Sequence, residues 1–205
     1  MQVLPFRVGP LDNNTYLVAD EDSGRAAVVD PSFESETVWE AAMRAGWTIA
    51  WVLNTHAHLD HAVLNAWFVE RSGAPLALHG DEVGMLEAMP QQAAWFGLDP
   101  PPMAAPGRLL TDGDAVELGQ SRLAVVHTPG HSQGGTCFLG PGFAIVGDVL
   151  FAGSIGRTDL PGGDMDVLIE SIRTRLLTLP DDTVVYPGHG DSTTIGRERR
   201  TNPFL

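Results

Sequence analysis

Short strand-like runs of apolar residues, separated by turn-forming residues, open the chain. The runs cover residues 3–8, 15–19 and 26–30, and this arrangement is typical of consecutive hairpins. Apolar residues then recur with helical spacing over residues 38–43, which predicts a helix. A continuous apolar run over residues 49–53 predicts a buried strand directly after that helix.

The same order of strands followed by helices returns in the rest of the chain. One helix is predicted from residue 63 to near Gly73 and another over residues 165–179. Strands are predicted over residues 76–78, 115–118, 122–126, 136–139, 143–146 and 183–186. Residues 80–110 are less regular, because the prolines at 100–102 and 106 exclude a long helix. The order of strands followed by helices occurs twice along the chain. It predicts an α/β fold in which two sheets pack face to face with helices outside.

Length and composition narrow the classes of function. The 205 residues suit a single domain over 1–205, and the formal charge of -14 argues against a nucleic-acid-binding surface. All positive side chains are arginine, which excludes a Schiff-base lysine and a P-loop. One cysteine excludes an intrachain disulfide. The sequence shows neither a signal peptide nor an apolar run of membrane-spanning length, so we expect a cytoplasmic protein without membrane contact.

Most of the histidines lie in short loops that directly follow predicted strands. The candidate ligands are His56, His58, Asp60 and His61 in the first loop, His131 in the second, Asp148 in the third and His189 in the fourth. Imidazole and carboxylate groups are ligands for divalent ions such as zinc, iron and manganese. The spacing indicates that His56 and His58 converge on one ion, while Asp60 and His61 reach a second.

The order of these motifs resembles the metallo-β-lactamase superfamily, whose members share a four-layer αβ/βα sandwich. Asp30 in Val-Val-Asp-Pro, the His56 run, His131, Asp148 and His189 follow one another as in that family. Within it, the stretches 147–151, 156–159, 186–190 and 200–204 are similar to small bacterial glyoxalase II-like hydrolases, also described as hydroxyacylglutathione hydrolase-like.

The resemblance implies a dinuclear site with two divalent ions, zinc being favoured over iron or manganese. His56, His58 and His131 would hold the first ion, and Asp60, His61 and His189 the second. Asp148 would bridge both ions together with a hydroxide, which Asp60 would orient for attack on an acyl thioester such as S-lactoylglutathione. Two adjacent ions generate hydroxide at neutral pH and polarise a carbonyl.

The resemblance also has departures and alternatives. The chain ends shortly after His189, so we expect no C-terminal helical domain of the kind that binds glutathione in full-length glyoxalase II. Arg157 is the substitute candidate for binding a substrate carboxylate, unless it pairs with Asp159. Residues 80–110 form either a lid over the substrate or a surface buried against the core or a second copy in a homodimer. The alternative activity is that of a mononuclear iron persulfide dioxygenase.

Overall fold

The computed structural model describes residues 1–205, which build two six-stranded sheets. The first half contributes β1 (Gln2–Val8), β2 (Asn13–Asp20), β3 (Arg25–Val29), β4 (Thr48–Leu53), β5 (Leu76–His79) and β6 (Arg108–Leu110). These six strands lie side by side in chain order. The pairs β1–β2 and β2–β3 are antiparallel, as predicted for hairpins, and the pairs from β3 to β6 are parallel.

The second sheet comes from the second half of the chain. Its strands and an adjacent small hairpin are β7 (Ala115–Leu118), β8 (Ser121–His127), β9 (Thr136–Gly140), β10 (Phe143–Gly147), β11 (Leu150–Phe151), β12 (Ser154–Ile155), β13 (Val184–Pro187) and β14 (Thr193–Thr194). The sheet order is β14-β13-β10-β9-β8-β7, and β11 pairs only with β12. Only β10 and β13 run parallel in this sheet.

Seven helices cover the outer faces of the sheets. They are α1 (Glu36–Arg44), α2 (Leu59–Ala62), α3 (Asn65–Ser72), α4 (Val83–Glu87), α5 (Met89–Trp95), α6 (Met165–Ser171) and α7 (Ile195–Thr201). A 3-10 turn, Gly80–Glu82, precedes α4, and a π-helical turn, Ile172–Leu176, continues α6. No helix is both long enough and apolar enough to cross a membrane.

Three separate apolar clusters show that the molecule has four layers. Along β2, Leu17 packs among the helices of the first half, whereas Tyr16 and Val18 pack between the two sheets. The third cluster lies between the second sheet and α6 and α7, and it includes Leu168 and Ile195. Successive strand residues point to opposite faces, so each sheet buries one face against the other sheet and one against helices. The result is the four-layer αβ/βα sandwich expected from the sequence.

Several local predictions were wrong in detail. The helix predicted from residue 63 to near Gly73 is α3, which begins at Asn65, and the sequence analysis missed the short helix α2 before it. The Leu64 N–H donates to the Pro31 carbonyl oxygen at 3.0 Å, outside the helices, which separates α2 from α3. The helix predicted over residues 165–179 stops being α-helical at Ile172. Residues 80–110 contain two short helices and the strand β6, which the sequence analysis missed together with β11, β12, β14 and α7.

Candidate metal centre

Four loops from both sheets bring seven histidine and aspartate side chains into one cluster. The loops follow β4, β8, β10 and β13, as the sequence analysis expected, and α2 carries two of the side chains in its single turn. The seven residues are His56, His58, Asp60, His61, His131, Asp148 and His189. Each strand end places its loop at the same edge of the sandwich, so residues far apart in the chain become neighbours.

The first group of donors consists of His56, His58 and His131. Their ligand atoms all lie within 4.8 Å of one another. The His131 Nε2 atom is 2.9 Å from His58 Nδ1 and 3.3 Å from His56 Nε2. Three imidazole nitrogens converging at this spacing match the usual protein ligand set of a zinc or iron ion.

The second group consists of Asp60, His61 and His189, again with ligand atoms within 4.8 Å of one another. Asp60 Oδ2 is 3.3 Å from His189 Nε2 and 3.6 Å from His61 Nε2. The loop of His189 approaches closely because residue 188 is glycine; a Cβ atom there would overlap the Asp148 carboxylate and the His61 ring.

Asp148 lies between the two groups. Its Oδ1 atom is 3.5 Å from His61 Nε2, and its Oδ2 atom is 3.8 Å from His131 Nε2 and 3.6 Å from His189 Nε2. The Oδ1 atom is buried and has no hydrogen-bond donor. A buried carboxylate oxygen without a partner is costly, and a metal ion would satisfy it. The donor set and this unpartnered oxygen fit a pair of divalent ions.

Hydrogen bonds behind the cluster orient four of the five imidazole rings. In each of these rings, the nitrogen that faces away from the cluster contacts an oxygen atom. The contacts are His56 Nδ1 with Thr55 Oγ1 at 3.0 Å, His61 Nδ1 with Asp30 Oδ2 at 3.2 Å, His131 Nδ1 with the Arg157 carbonyl at 2.8 Å and His189 Nδ1 with the Leu11 carbonyl at 3.1 Å. Such contacts fix the tautomer and leave the other nitrogen free for a metal.

Asp30 supports the cluster through hydrogen bonds and is fully buried. Its Oδ1 atom accepts the Thr55 backbone N–H at 2.7 Å, and its Oδ2 atom accepts the Thr55 hydroxyl at 2.6 Å and contacts His61. The backbone of Asp30 has a φ of 53°, which is strained for a residue other than glycine. These contacts give Asp30 the role of holding the loop and the ring of His61.

The electrostatics of the metal-free cluster differ between its two donor groups. Burial lowers the pKa of His56 well below its usual range and that of His58 to about 4, so both rings are neutral ligands at pH 7. Burial raises the pKa of Asp60, but His61 and hydrogen bonds from His189 and Asn13 outweigh it and hold the pKa below its usual range. Burial lowers the pKa of His61, yet Asp60, Asp148 and Asp30 outweigh it and raise it to about 10. The carboxylates thus create a site that attracts positive charge.

A cavity of about 1060 Å³ opens onto the cluster. His58, Asp60, His131, Asp148 and His189 are part of its lining. A volume of this size accommodates a small organic substrate, and its polar groups gather at the place where metal ions would be held.

Comparison with known proteins identifies the family. A sequence profile described as Metallo-beta-lactamase superfamily matches residues 8–189. The chain belongs to the metallo-β-lactamase superfamily. It is 36% identical to the hydroxyacylglutathione hydrolase GloC of Haemophilus influenzae, over 100% of this chain and 97% of that protein. The superfamily comprises metal-dependent hydrolases, and its fold binds metal ions.

Solved structures of the superfamily share the whole fold. The BLEG-1 B3 metallo-beta-lactamase has a TM-score of 0.92 and 36% identity, covering 100% of this chain and 99% of its own. The protein TTHA1623, solved in a di-iron-bound form, has a TM-score of 0.90 and 40% identity, covering 99% of this chain and 100% of its own. The four-layer fold inferred above is therefore that of the metallo-β-lactamase superfamily.

Two residues that the sequence analysis missed, Glu82 and Gln92, hold the histidine loops together. Glu82 is fully buried; its Oε2 atom accepts the Ala57 N–H at 2.7 Å and its Oε1 atom accepts the Gly134 N–H at 2.8 Å. Gln92 accepts the Leu59 N–H at 2.9 Å. The only signal in the sequence was a polar residue on the inner face of a helical segment. That signal does not identify the hydrogen-bond partners, because they are distant in the chain.

Asn13 is a third residue that the sequence analysis missed, and it touches the second group. Its side chain is 1% exposed, and its Nδ2 atom donates to Asp60 Oδ2 at 2.9 Å and lies 3.4 Å from the Nε2 atoms of His61 and His189. Its Oδ1 atom is buried without a hydrogen-bond partner. Asn13 therefore borders the position of an ion held by the second group.

We expect Asn13→Ala to weaken metal binding at the second group, because Asp60 loses the donor that orients its carboxylate. Loss of such a partner typically costs about 10- to 100-fold in metal affinity. Competition with a metal-binding indicator measures the two affinities separately. Gln120→Ala serves as the control for loss of an amide side chain, because Gln120 is exposed and does not line the cavity at the cluster. Equal loss from both variants would contradict this role for Asn13.

Arg157 lies on the cavity of this superfamily member, but its guanidinium group is occupied. The Nε and second terminal nitrogen atoms donate to the two carboxylate oxygens of Asp159 at 2.7 and 2.8 Å. This is the pairing that the sequence analysis named as the alternative to substrate binding. The carbonyl group of Arg157 has a separate role, since it accepts the hydrogen bond from His131. Binding of a substrate carboxylate by Arg157 stays a prediction.

Two histidines and the cysteine lie outside the metal centre. His79 and His127 stack with ring centroids 4.1 Å apart and planes 6° from parallel. Asp81 lies beside them, but parallel rings cannot both direct in-plane nitrogens at one ion, so the three do not form a metal site in this arrangement. Cys137 is fully buried, and burial raises the pKa of its thiol to about 12, which leaves it unreactive.

Proposed function

We propose that this protein is a dinuclear metal-dependent hydrolase of acyl thioesters, with S-lactoylglutathione as the reference substrate. The observation that carries the proposal is the position of Asp148 between two groups of three donors, His56, His58 and His131 on one side and Asp60, His61 and His189 on the other. The relative named hydroxyacylglutathione hydrolase supports the choice of thioester, since the similarity covers the full length of both chains.

The chain's own residues would divide the work between holding the centre and guiding the reaction. Two bound divalent ions would supply hydroxide at neutral pH and polarise the acyl carbonyl. Asp60 lines the cavity as a carboxylate and accepts a hydrogen bond from Asn13, and we assign it the orientation of the attacking water. The cavity offers no carboxyl group besides Asp60, Asp148 and the surface residue Asp81. A thiolate leaves without a strong general acid, because the pKa of a thiol is about 8.5.

The test combines metal analysis with an assay of thiol release on the same purified sample. We expect about two ions per chain, with zinc favoured, and hydrolysis of S-lactoylglutathione that a chelator abolishes and added zinc, iron or manganese restores. Two bound ions without turnover of any thioester would contradict the substrate class but not the metal centre. A β-lactam in the same panel covers the activity named for BLEG-1.

The same experiment distinguishes the proposed hydrolase from the alternative, a mononuclear iron persulfide dioxygenase. That enzyme would bind about one iron per chain and consume oxygen with a persulfide. The second donor group argues against a single ion, because Asp60, His61 and His189 would be left without a metal partner. One iron per chain together with oxygen consumption would replace the hydrolase proposal.

A further inference from the structure

Two aromatic side chains lie exposed on the wall of the cavity that opens onto the metal centre. Trp95 and Phe96, at the end of α5, are 61% and 62% exposed. Both line the same cavity as His58 and His131. Large exposed apolar surface that adjoins a polar reaction centre is typical of a ligand-binding wall, because a bound apolar group removes it from water.

Other parts of the cavity lining are also apolar. Leu11 from the β1–β2 turn, Phe151 from β11 and Leu160 from the loop before α6 belong to it. Leu11 is itself 47% exposed. Apolar residues thus come from several segments of the chain, while the candidate metal ligands supply all the histidines and two of the three aspartates of the lining.

The charges of the cavity do not suit an anionic thiol. Arg157 is the only arginine of the lining, the chain has no lysine, and both carboxylate oxygens of Asp159 occupy the Arg157 guanidinium group. Asp81 adds a negative side chain that is 62% exposed. Glutathione carries two carboxylates, and the one arginine of this cavity that could bind either of them is already paired with Asp159.

We infer that the cavity selects thioesters of an uncharged, aryl or alkyl thiol over thioesters of glutathione, with Trp95 and Phe96 as the residues that determine this specificity. The inference rests on the proposed thioester hydrolysis. With a small acyl group such as lactoyl at the metal centre, the thiol arm is the part that extends along the apolar wall.

The first experiment compares two substrates that share one acyl group. Metal-loaded protein is assayed with the lactoyl thioester of benzyl mercaptan and with S-lactoylglutathione. We expect kcat/KM to be at least about tenfold higher for the benzyl thioester, which corresponds to partial burial of one aromatic ring. Higher kcat/KM for the glutathione thioester would overturn the inference and leave the proposed function intact. Hydrolysis of neither thioester, with two ions bound, would overturn the proposed function itself.

Variants of Trp95 and Phe96 then test whether these two side chains cause the preference for the benzyl thioester. Trp95→Ala and Phe96→Ala should each raise KM for the benzyl thioester about three- to tenfold, with little change in kcat or in the glutathione reaction. Phe204→Ala is the matched control, because Phe204 is 46% exposed and does not line the cavity. If Trp95→Ala changes only the molar mass in light scattering, the rings belong to an interface between two copies, and the inference fails.

Asp159→Asn tests the charge argument from the opposite direction. The variant frees the Arg157 guanidinium group, so kcat/KM for S-lactoylglutathione should rise several-fold while the value for the uncharged benzyl thioester stays constant. The benzyl thioester and the metal content report whether the loop that carries the His131 contact is intact. A lower rate on glutathione thioester, with the benzyl reaction unchanged, would show that the ion pair itself serves glutathione binding and would overturn the inference.

Discussion

Asp148→Ala is expected to reduce the bound metal from two ions per chain to one or fewer and to lower kcat/KM for thioester hydrolysis by about 10³-fold or more. The reason is that Asp148 is the carboxylate placed between the two donor groups, with one oxygen facing His61 and the other facing His131 and His189. Without it, neither ion keeps a full set of ligands, and the activation of water by the ions is lost.

Elemental analysis and activity on the same preparation measure both effects of Asp148→Ala. The free energy of unfolding in the presence of excess metal should fall by about 3 kcal/mol, which is the stabilisation that a ligand gives at 100 times its dissociation constant. Asp166→Ala, on the exposed start of α6, is the control for loss of an aspartate. Unchanged metal content in Asp148→Ala would refute the bridging assignment.

Glu82→Ala is expected to destabilise the fold by roughly 2–4 kcal/mol, because two buried backbone donors lose a charged acceptor. Those donors are the N–H of Ala57, which lies between His56 and His58, and the N–H of Gly134, which follows His131 by three residues. The carboxylate therefore joins the two loops that carry the first donor group, and its loss should also weaken binding of the first ion by about 10- to 100-fold.

Urea unfolding of the metal-free protein isolates the structural part of the Glu82 effect. We expect a lower midpoint with an unchanged m-value, since the surface exposed on unfolding is the same. Glu87→Ala removes an exposed glutamate from the same helical segment and should leave stability and metal affinity near the wild-type values. Equal stability of Glu82→Ala and the wild type would mean that water replaces the carboxylate at both donors.

Much of the fold was predictable because its signals are local. Turn residues between short apolar runs predicted the opening hairpins, and the repeated order of strands and helices predicted two sheets with helices outside. The strands that were missed, β6, β11, β12 and β14, have two or three residues each. Such short strands lack a pattern of their own, because their hydrogen bonds to a neighbouring strand decide their conformation.

The candidate site was likewise predictable only in part. Residues with metal-ligating side chains are concentrated in loops after strands, so the candidate ligands, from His56 to His189, could be proposed from residue type and position alone, and the structure brings them into one cluster. Metal binding by these residues stays a prediction. The residues that support these candidate ligands could not be recognised from the sequence. Asn13 and Glu82 act on loops 47 and 25 positions away in the chain, and nothing in their own surroundings indicates those partners.

The sequence by itself therefore determined the order of the longer elements, the chemistry of the candidate ligands and the family, since residue type and spacing carry all three. Only the tertiary structure decided that Asn13 contacts Asp60, that Glu82 joins two loops, and that Asp159 pairs with Arg157. The physical reason is that these contacts depend on which strands become neighbours. Burial then makes each of them strong, because a polar atom removed from water needs a partner.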